Sequence, residues 1–462
     1  MAMKAYESYK NVDLPWLKRV PEHWEIARNK NFLSERKAIV GDNFTNYSLL
    51  SLTLNGIIIR DVNNGKGKFP ASFNTYKIVS PGDIVFCLFD MDETPRTVGL
   101  STHHGMITNA YEVLGVHNIN PQYLYYYYLQ LDNRKALKPL YHGLRKTISI
   151  GTFLQTKLPV PPKEEQEQIV RYLDWQNSRL NKLINAKKKE IALLEEQKQA
   201  LISQAVTKGL DPHVPLKDSG IDWIGQIPEH WEINKMNRLF NLIGSGTTPS
   251  SGSIDFYNNG NIPWLNSGDL YGDKPVIEKT AKHITELALN SFSALKLYDA
   301  GSIAIAMYGD HSLGNVSIVP FNFCCNQACC IFSKPIKNLN SKYVYYGILA
   351  GKDSLIRQAR GGGQPNINQD ILRQFRLPFP PLHEQEHIVD YLTGQCAIID
   401  DLIANINKTI SLLQEYRTRL VADVVTGQID VRHIAIPNYE TITETIDQPE
   451  TDEDSTICTE DQ

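Results

Sequence analysis

The chain has 462 residues, 42% hydrophobic and 21% charged, the proportions of a folded, water-soluble protein long enough for roughly two to four domains. No apolar run approaches the ~18 residues needed to span a bilayer. The N-terminus MAMKAYESYK has no signal-like stretch, so a cytoplasmic protein is expected. Seven cysteines fit reduced thiols better than a disulfide framework. The net charge of −4 averages two unlike regions: nine acidic residues and no Lys or Arg lie between Tyr439 and Gln462, and the remainder is net positive. Such a tail reads as disordered and solvated, while a mildly basic body permits nucleic-acid contact.

The first landmark is VPEHWEI, Val20 to Ile26, which returns as IPEHWEI, Ile227 to Ile233. A six-residue repeat containing Trp points to duplication. Later segments repeat at a nearly constant offset. PGDIVF at Pro81 is echoed by AGSIAI at Ala300, and NPQYLYYY at Asn120 by NSKYVYYG at Asn340. LPVPPKEEQEQIVRYLDWQNSRLNKLI from Leu158 is answered from Leu377, 219 residues on, by LPFPPLHEQEHIVDYLTGQCAIIDDLI. Each half therefore runs from a PEHWE segment through a globular unit (1–157 and 212–376) to a Pro-rich junction and a long helix (158–211 and 377–430), with an acidic tail at 431–462. Trp24 and Trp231 are expected to anchor each unit to its helix root, with His23 and His230 in structural roles.

The charged stretches carry heptads. In the first, Val170, Leu173, Leu180, Ile184, Ile191, Leu194 and Leu201 fall on alternating four- and three-residue spacing, with Asn177, Lys187, Lys198 and Ala205 in the same register. In the second, Val389, Leu392, Ile399, Ile403, Ile406, Ile410, Leu413 and Leu420 do so, with Cys396, Arg417 and Val424. About 44 residues at ~1.5 Å each give a rod of roughly 65 Å. Two seams should pack together, and short connections to the globular units favour an antiparallel pair. The expected fold class is α+β: two similar globular domains separated by long antiparallel coiled-coil helices, with a pseudo-twofold repeat.

Signatures of phosphate and methyl-donor binding are missing from the pattern: there is no Gly-rich phosphate cradle ending in Lys-Ser/Thr and no methyl-donor motif. CCNQACC, Cys324 to Cys330, lacks zinc-ribbon spacing and reads as a thiol-rich buried strand. A non-catalytic chain binding neither metal nor cofactor is expected. The remaining polar loops, rich in Gly, Asn, Arg and Lys, suit close approach to a ligand and reading of base edges. The candidate DNA contacts are Arg60, Lys66, Arg96, Arg145 and Lys146 in the first unit, and Arg357, Arg360, Gln364 and Asn366 in the second.

The LPxPPxxEQ junctions, the PEHWE segments, TPSSGSIDFYNNGNIPWLNSGDLY from Thr248 and GGGQPNIN from Gly361 together resemble the DNA-specificity subunit of type I restriction-modification systems. The resemblance implies two target-recognition domains, each reading half of a split site in double-stranded DNA, and helices that set the spacer and dock two modification subunits. It places S-adenosylmethionine in those methyltransferase partners, and ATP and magnesium in two further restriction subunits. The first unit carries NYSLLSLTLNGIIIRD in place of the TPSS string, so an asymmetric target is expected. The alternatives are a specificity component of a system that cuts on both sides of its site, or a coiled-coil scaffold that binds proteins and no DNA.

Overall fold

The computed structural model describes residues 4–60, 72–143, 146–272, 274–309, 311–360 and 365–445. The chain divides into two compact units, the first formed by residues 1–189 with 407–462, the second by 190–406.

In the first unit, α1 spans Pro121–Asn133, α2 spans Ile150–Gln155, and α3, Lys163–Lys208, begins. One antiparallel sheet has the strand order Leu33–Glu35, Glu112–Val116, Ile84–Phe86, Val98–Leu100. A second sheet pairs Ser48–Thr53 in parallel with Gly105–Ile107, flanked by Gly56–Ile59 and Lys77–Val79. The second unit holds α4 (Met236–Leu239), α5 (Glu286–Ser291), α6 (Ser341–Ala350), α7 (Lys352–Arg357), α8 (Gln369–Gln374) and the start of α9 (Leu382–Val425). Its sheets repeat the plan. Phe240–Gly244, Cys329–Pro335, Ser302–Ala306 and Val316–Val319 form the antiparallel sheet. Ile262–Leu265 pairs in parallel with Cys324–Cys325 and antiparallel with Lys282–Ile284.

Chain direction in the long helices follows from which ends share a core. In the first unit Ile169, Tyr172 and Leu173 at the start of α3 pack with Leu420, Val421, Val424 and Val425 at the end of α9. In the second, Ile202, Ala205 and Val206 at the end of α3 pack with Ile388, Val389, Leu392 and Cys396 at the start of α9. Beginning meets end both times, so the helices run antiparallel. Leu173, Leu180, Ile184, Val389, Leu392, Ile399, Ile406, Ile410 and Leu420 are buried, while Val170, Ile191, Leu194, Leu201, Ile403 and Leu413 are half-buried. Polar side chains on the heptad positions find partners: Lys198 Nζ lies 2.6 Å from Asp400 Oδ1, and Arg417 Nη1 donates to Asn181 Oδ1 at 2.9 Å and Glu444 Oε2 at 2.8 Å.

Glu444 belongs to the segment expected to be disordered, and for residues 431–445 that expectation is corrected. They run without helix or strand along α3, where side chains of the helix satisfy their backbone. Gln168 Nε2 donates to the carbonyls of Val431 and Ile434. Ser178 donates to Glu440 O, Asn181 to Ile442 O, Asn185 to Thr443 O and Lys188 to Thr445 O. Four such bonds at a spacing of three or four residues place the donors on one helix face, forming a polar track for an extended strand of chain. Residues 446–462 lie outside the described residues.

The cysteines of the second unit divide among three cores, because alternate strand residues point to opposite faces. Cys330 packs with Phe332, Cys325 and Cys329 with Tyr298 and Phe323, and Cys324 with Trp264. Burial pushes the Cys324 and Cys330 thiols up to about 12, so they remain protonated fillers of apolar space.

Candidate nucleic-acid interface

Both units attach their sheets to the helices through one joint, built from the repeated motifs. Glu25–Arg28, following Trp24, pairs antiparallel with Lys157–Val160. Glu232–Lys235, following Trp231, pairs the same way with Arg376–Phe379. The helix that starts just beyond presents a Glu-Gln pair in its first turn. Glu165 accepts from Trp24 Nε1 at 2.9 Å, lies 2.7 Å from His23 Nε2, and also accepts from the Tyr6 hydroxyl. Glu384 accepts from Trp231 Nε1 at 2.9 Å and lies 2.7 Å from His230 Nε2. The neighbouring Gln166 and Gln385 accept the backbone N–H of Asn120 and Asn340 at 2.8 and 2.9 Å. Those two asparagines cap α1 and α6 through their side chains.

The opposite helix closes the joint. Tyr123 on α1 donates to Pro159 O and Val425 O, and Tyr343 on α6 donates to Pro378 O and Val206 O. Each hydroxyl thereby satisfies a carbonyl in the last turn of a long helix, where intrahelical partners run out. Gly427 and Gly209 then turn the chain at φ of +71° and +75°, conformations that glycine adopts without steric cost. A Cβ at Gly427 would stand 2.3 Å from Pro21 Cδ, and one at Gly209 would stand 3.2 Å from Trp231 Cζ2.

This rigid base presents the loops. Ahead of α2, His142 N–H donates to Thr147 O at 3.0 Å, bracketing the loop that carries Lys146. Ahead of α8, Arg360 and Asn366 exchange backbone hydrogen bonds at 3.0 and 2.9 Å, bracketing the glycine run, and the side chains of Arg357, Arg360 and Asn366 are exposed. Ser149 and Asn368 cap the two short helices that follow. Equivalent framework positions thus carry Lys146 in one unit and the Arg357, Arg360 and Asn366 group in the other.

The remaining candidates separate by charge environment. Arg60 is half-buried beyond Gly56–Ile59, its N–H donating to Leu49 O at 2.8 Å. Arg96 turns into the framework: its Nη1 meets buried Asp132 on α1 at 2.9 Å and Asn133 at 2.9 Å, and only 14% of the side chain is exposed. Its guanidinium pins the loop before Val98–Leu100 to α1. Lys146 Nζ lies 3.0 Å from Glu93 and 3.2 Å from Asp92, and these carboxylates raise its pKa. Lys66, Arg145 and Gln364 lie outside the described residues. The Glu165 and Glu384 carboxylates, central to the joints, were missed as receptors in sequence; the signal was their shared place in the duplicated LPxPPxxEQ.

A family model described as Type I restriction modification DNA specificity domain matches residues 55–193 and 228–412, one copy for each half. The chain belongs to this family. It is therefore a DNA-specificity subunit, a non-catalytic component of type I restriction-modification. The putative type I restriction enzyme MjaX specificity subunit of Methanocaldococcus jannaschii is 24% identical over 450 residues, covering 92% of this chain and 97% of that one. The type I restriction enzyme MjaVIII specificity subunit of the same organism is 25% identical, covering 90% and 95%. In fold, the subunit is similar to a solved chain described under complex assembly and conformational transition of the type I R-M system. That match has a TM-score of 0.63 at 14% identity and covers 89% of this chain and 99% of that one. Among the described residues no helix is long and apolar enough to cross a membrane.

Proposed function

We propose that each unit reads one half of a bipartite, asymmetric site in double-stranded DNA, and that the helix pair sets the spacer between the halves. The observation that carries this reading is the pairing of one framework with two different loop sets. The joints share their His-Trp-Glu-Gln set, whereas Leu54 and Asn55 alone link Ser48–Thr53 to Gly56–Ile59 in the first unit, and residues 266–281 link Ile262–Leu265 to Lys282–Ile284 in the second. Of the candidates, Arg60, Arg357, Arg360 and Asn366 carry base or phosphate contacts, while Arg96 serves the framework.

Two copies of a methyltransferase subunit dock along the helices. Supporting this, the exposed apolar side chains Leu183 and Leu402, and likewise Leu193 and Leu412, recur at the 219-residue offset of the repeat, offering the same surface twice. S-adenosylmethionine belongs to those partners, ATP and magnesium to restriction subunits, and the assembly works in the cytoplasm on chromosomal DNA. Exchanging the two recognition domains between the joints tests the division of labour. Methylation mapping in cells carrying the exchanged subunit should return the two half-sites in swapped positions; an unaltered target would refute it.

A further inference from the structure

The second unit contains a cavity of about 690 Å³ in the TPSS string that the first unit lacks. Its wall is aromatic and fixed. Trp264 is buried, with the Tyr257 ring edge-on at 6.0 Å. Trp264 Nε1 donates to Thr247 O at 3.3 Å and the Tyr257 hydroxyl donates to Pro249 O at 2.6 Å, folding the loop back onto the strand Ile262–Leu265. The rim is polar: Ser251, Ser253, Asn258, Lys282 and His283. Lys282 and His283 are exposed on the strand paired with Trp264 and Pro263.

Charge separates this group from Arg96 and Lys146 of the first unit. Asp132 neutralises Arg96, and Asp92 and Glu93 neutralise Lys146. No carboxylate lines the cavity among the described residues, and neither Lys282 nor His283 forms an ion pair there. The lining supplies one ammonium, one imidazole, the hydroxyls of Thr248, Ser251 and Ser253 and the Asn258 amide, donors suited to an anionic oxygen. A flexible ammonium acts as a point charge and suits phosphate, whereas reading a base edge calls for a planar donor and acceptor pair.

Resting on the DNA role proposed above, we infer that this cavity seats a backbone phosphate of duplex DNA. The test measures affinity of the full-length chain for its mapped target, and for versions with single-base changes, across a salt series. Lys282→Ala should weaken binding to every DNA alike, roughly threefold to tenfold, and flatten the salt slope by about one counterion. Lys282→Arg should restore most of it, and Lys279→Ala, which removes an exposed charge outside the cavity, should change little. Unaltered affinity and slope in Lys282→Ala, an equal loss in Lys279→Ala, or a loss confined to particular bases would each overturn the phosphate seat. A wild-type chain without salt-dependent DNA affinity would instead defeat the functional reading on which it rests.

Discussion

The first unit builds its joint with Tyr6, His23 and Trp24 on a carboxylate that is 5% exposed, and the second builds the same joint with His230 and Trp231 on one that is 28% exposed. Beyond the joint the order reverses: residues 266–281 link two strands of the second unit where Leu54 and Asn55 suffice in the first. Where the framework is shared, the same residue types recur at matching positions because their hydrogen bonds leave no substitute. Where the units differ, the four-stranded antiparallel sheet recurs, while the sheet built on the parallel pair has four strands in the first unit and three in the second. Sequence can therefore vary between Leu265 and Lys282 without disturbing what holds the unit to its helix.

Deleting the joint carboxylates gives the largest test of this asymmetry. Glu165→Ala strands two buried donors, Trp24 Nε1 and the Tyr6 hydroxyl, at a cost of about 3–4 kcal/mol, against about 1–2 kcal/mol for Glu384→Ala. Hydrogen exchange followed separately in the two units should show the larger loss of protection in the first; equal losses would mean that burial depth does not govern the joint. Next in size are the helix-ending glycines. Gly427→Ala combines a left-handed backbone with a clash on Pro21 and should cost about 2–3 kcal/mol, while Gly209→Ala, facing only the edge of Trp231, should cost about 1 kcal/mol. Thermal unfolding of the two variants decides this, and a reversed order would show that Pro21 yields freely.

The smallest effect concerns pH. Tyr126 donates to Asp174 at 2.6 Å in the first unit, where the second places Tyr346 at 3.3 Å from the hydroxyl of Thr393. Burial raises the Asp174 carboxyl above its ordinary value despite the Tyr126 hydrogen bond. A raised carboxyl favours folding below the unfolded value and loses that contribution as pH climbs through the folded one, so at neutral pH the ionised side chain destabilises. Asp174→Asn should therefore raise the melting temperature slightly at pH 7, with the gain vanishing towards pH 4. A gain that persists at pH 4 would trace the effect to something other than charge.

Much of the architecture was legible because repetition and heptad spacing are written in apolar residues. The half-to-half offset followed from Leu158 and Leu377, and the seam from Leu173 through Leu420. The docked tail was not. Ser178, Asn181 and Asn185 bind backbone carbonyls, and a carbonyl leaves no trace in the identity of Ile442 or Thr443. The surroundings of Arg96 were illegible for a related reason: a guanidinium on a loop looks the same in sequence whether it faces solvent or Asp132, 36 residues away. Lys282 and His283 went unnoticed because two exposed basic residues on a short strand become notable only once the loop carrying Tyr257 folds over them.

The closing helix reaches back across the chain. Leu420, Val421, Val424, Val425 and Val431 complete a core otherwise made by residues before 174, while the second unit is one continuous stretch from 190 to 406. On a ribosome, where domains mature in order of emergence, the amino-terminal half is begun first and finished last. A nascent chain stalled before residue 420 would keep Trp24 and Tyr123 uncovered, ready targets for chaperones, and a late stop codon would cripple the unit nearest the start.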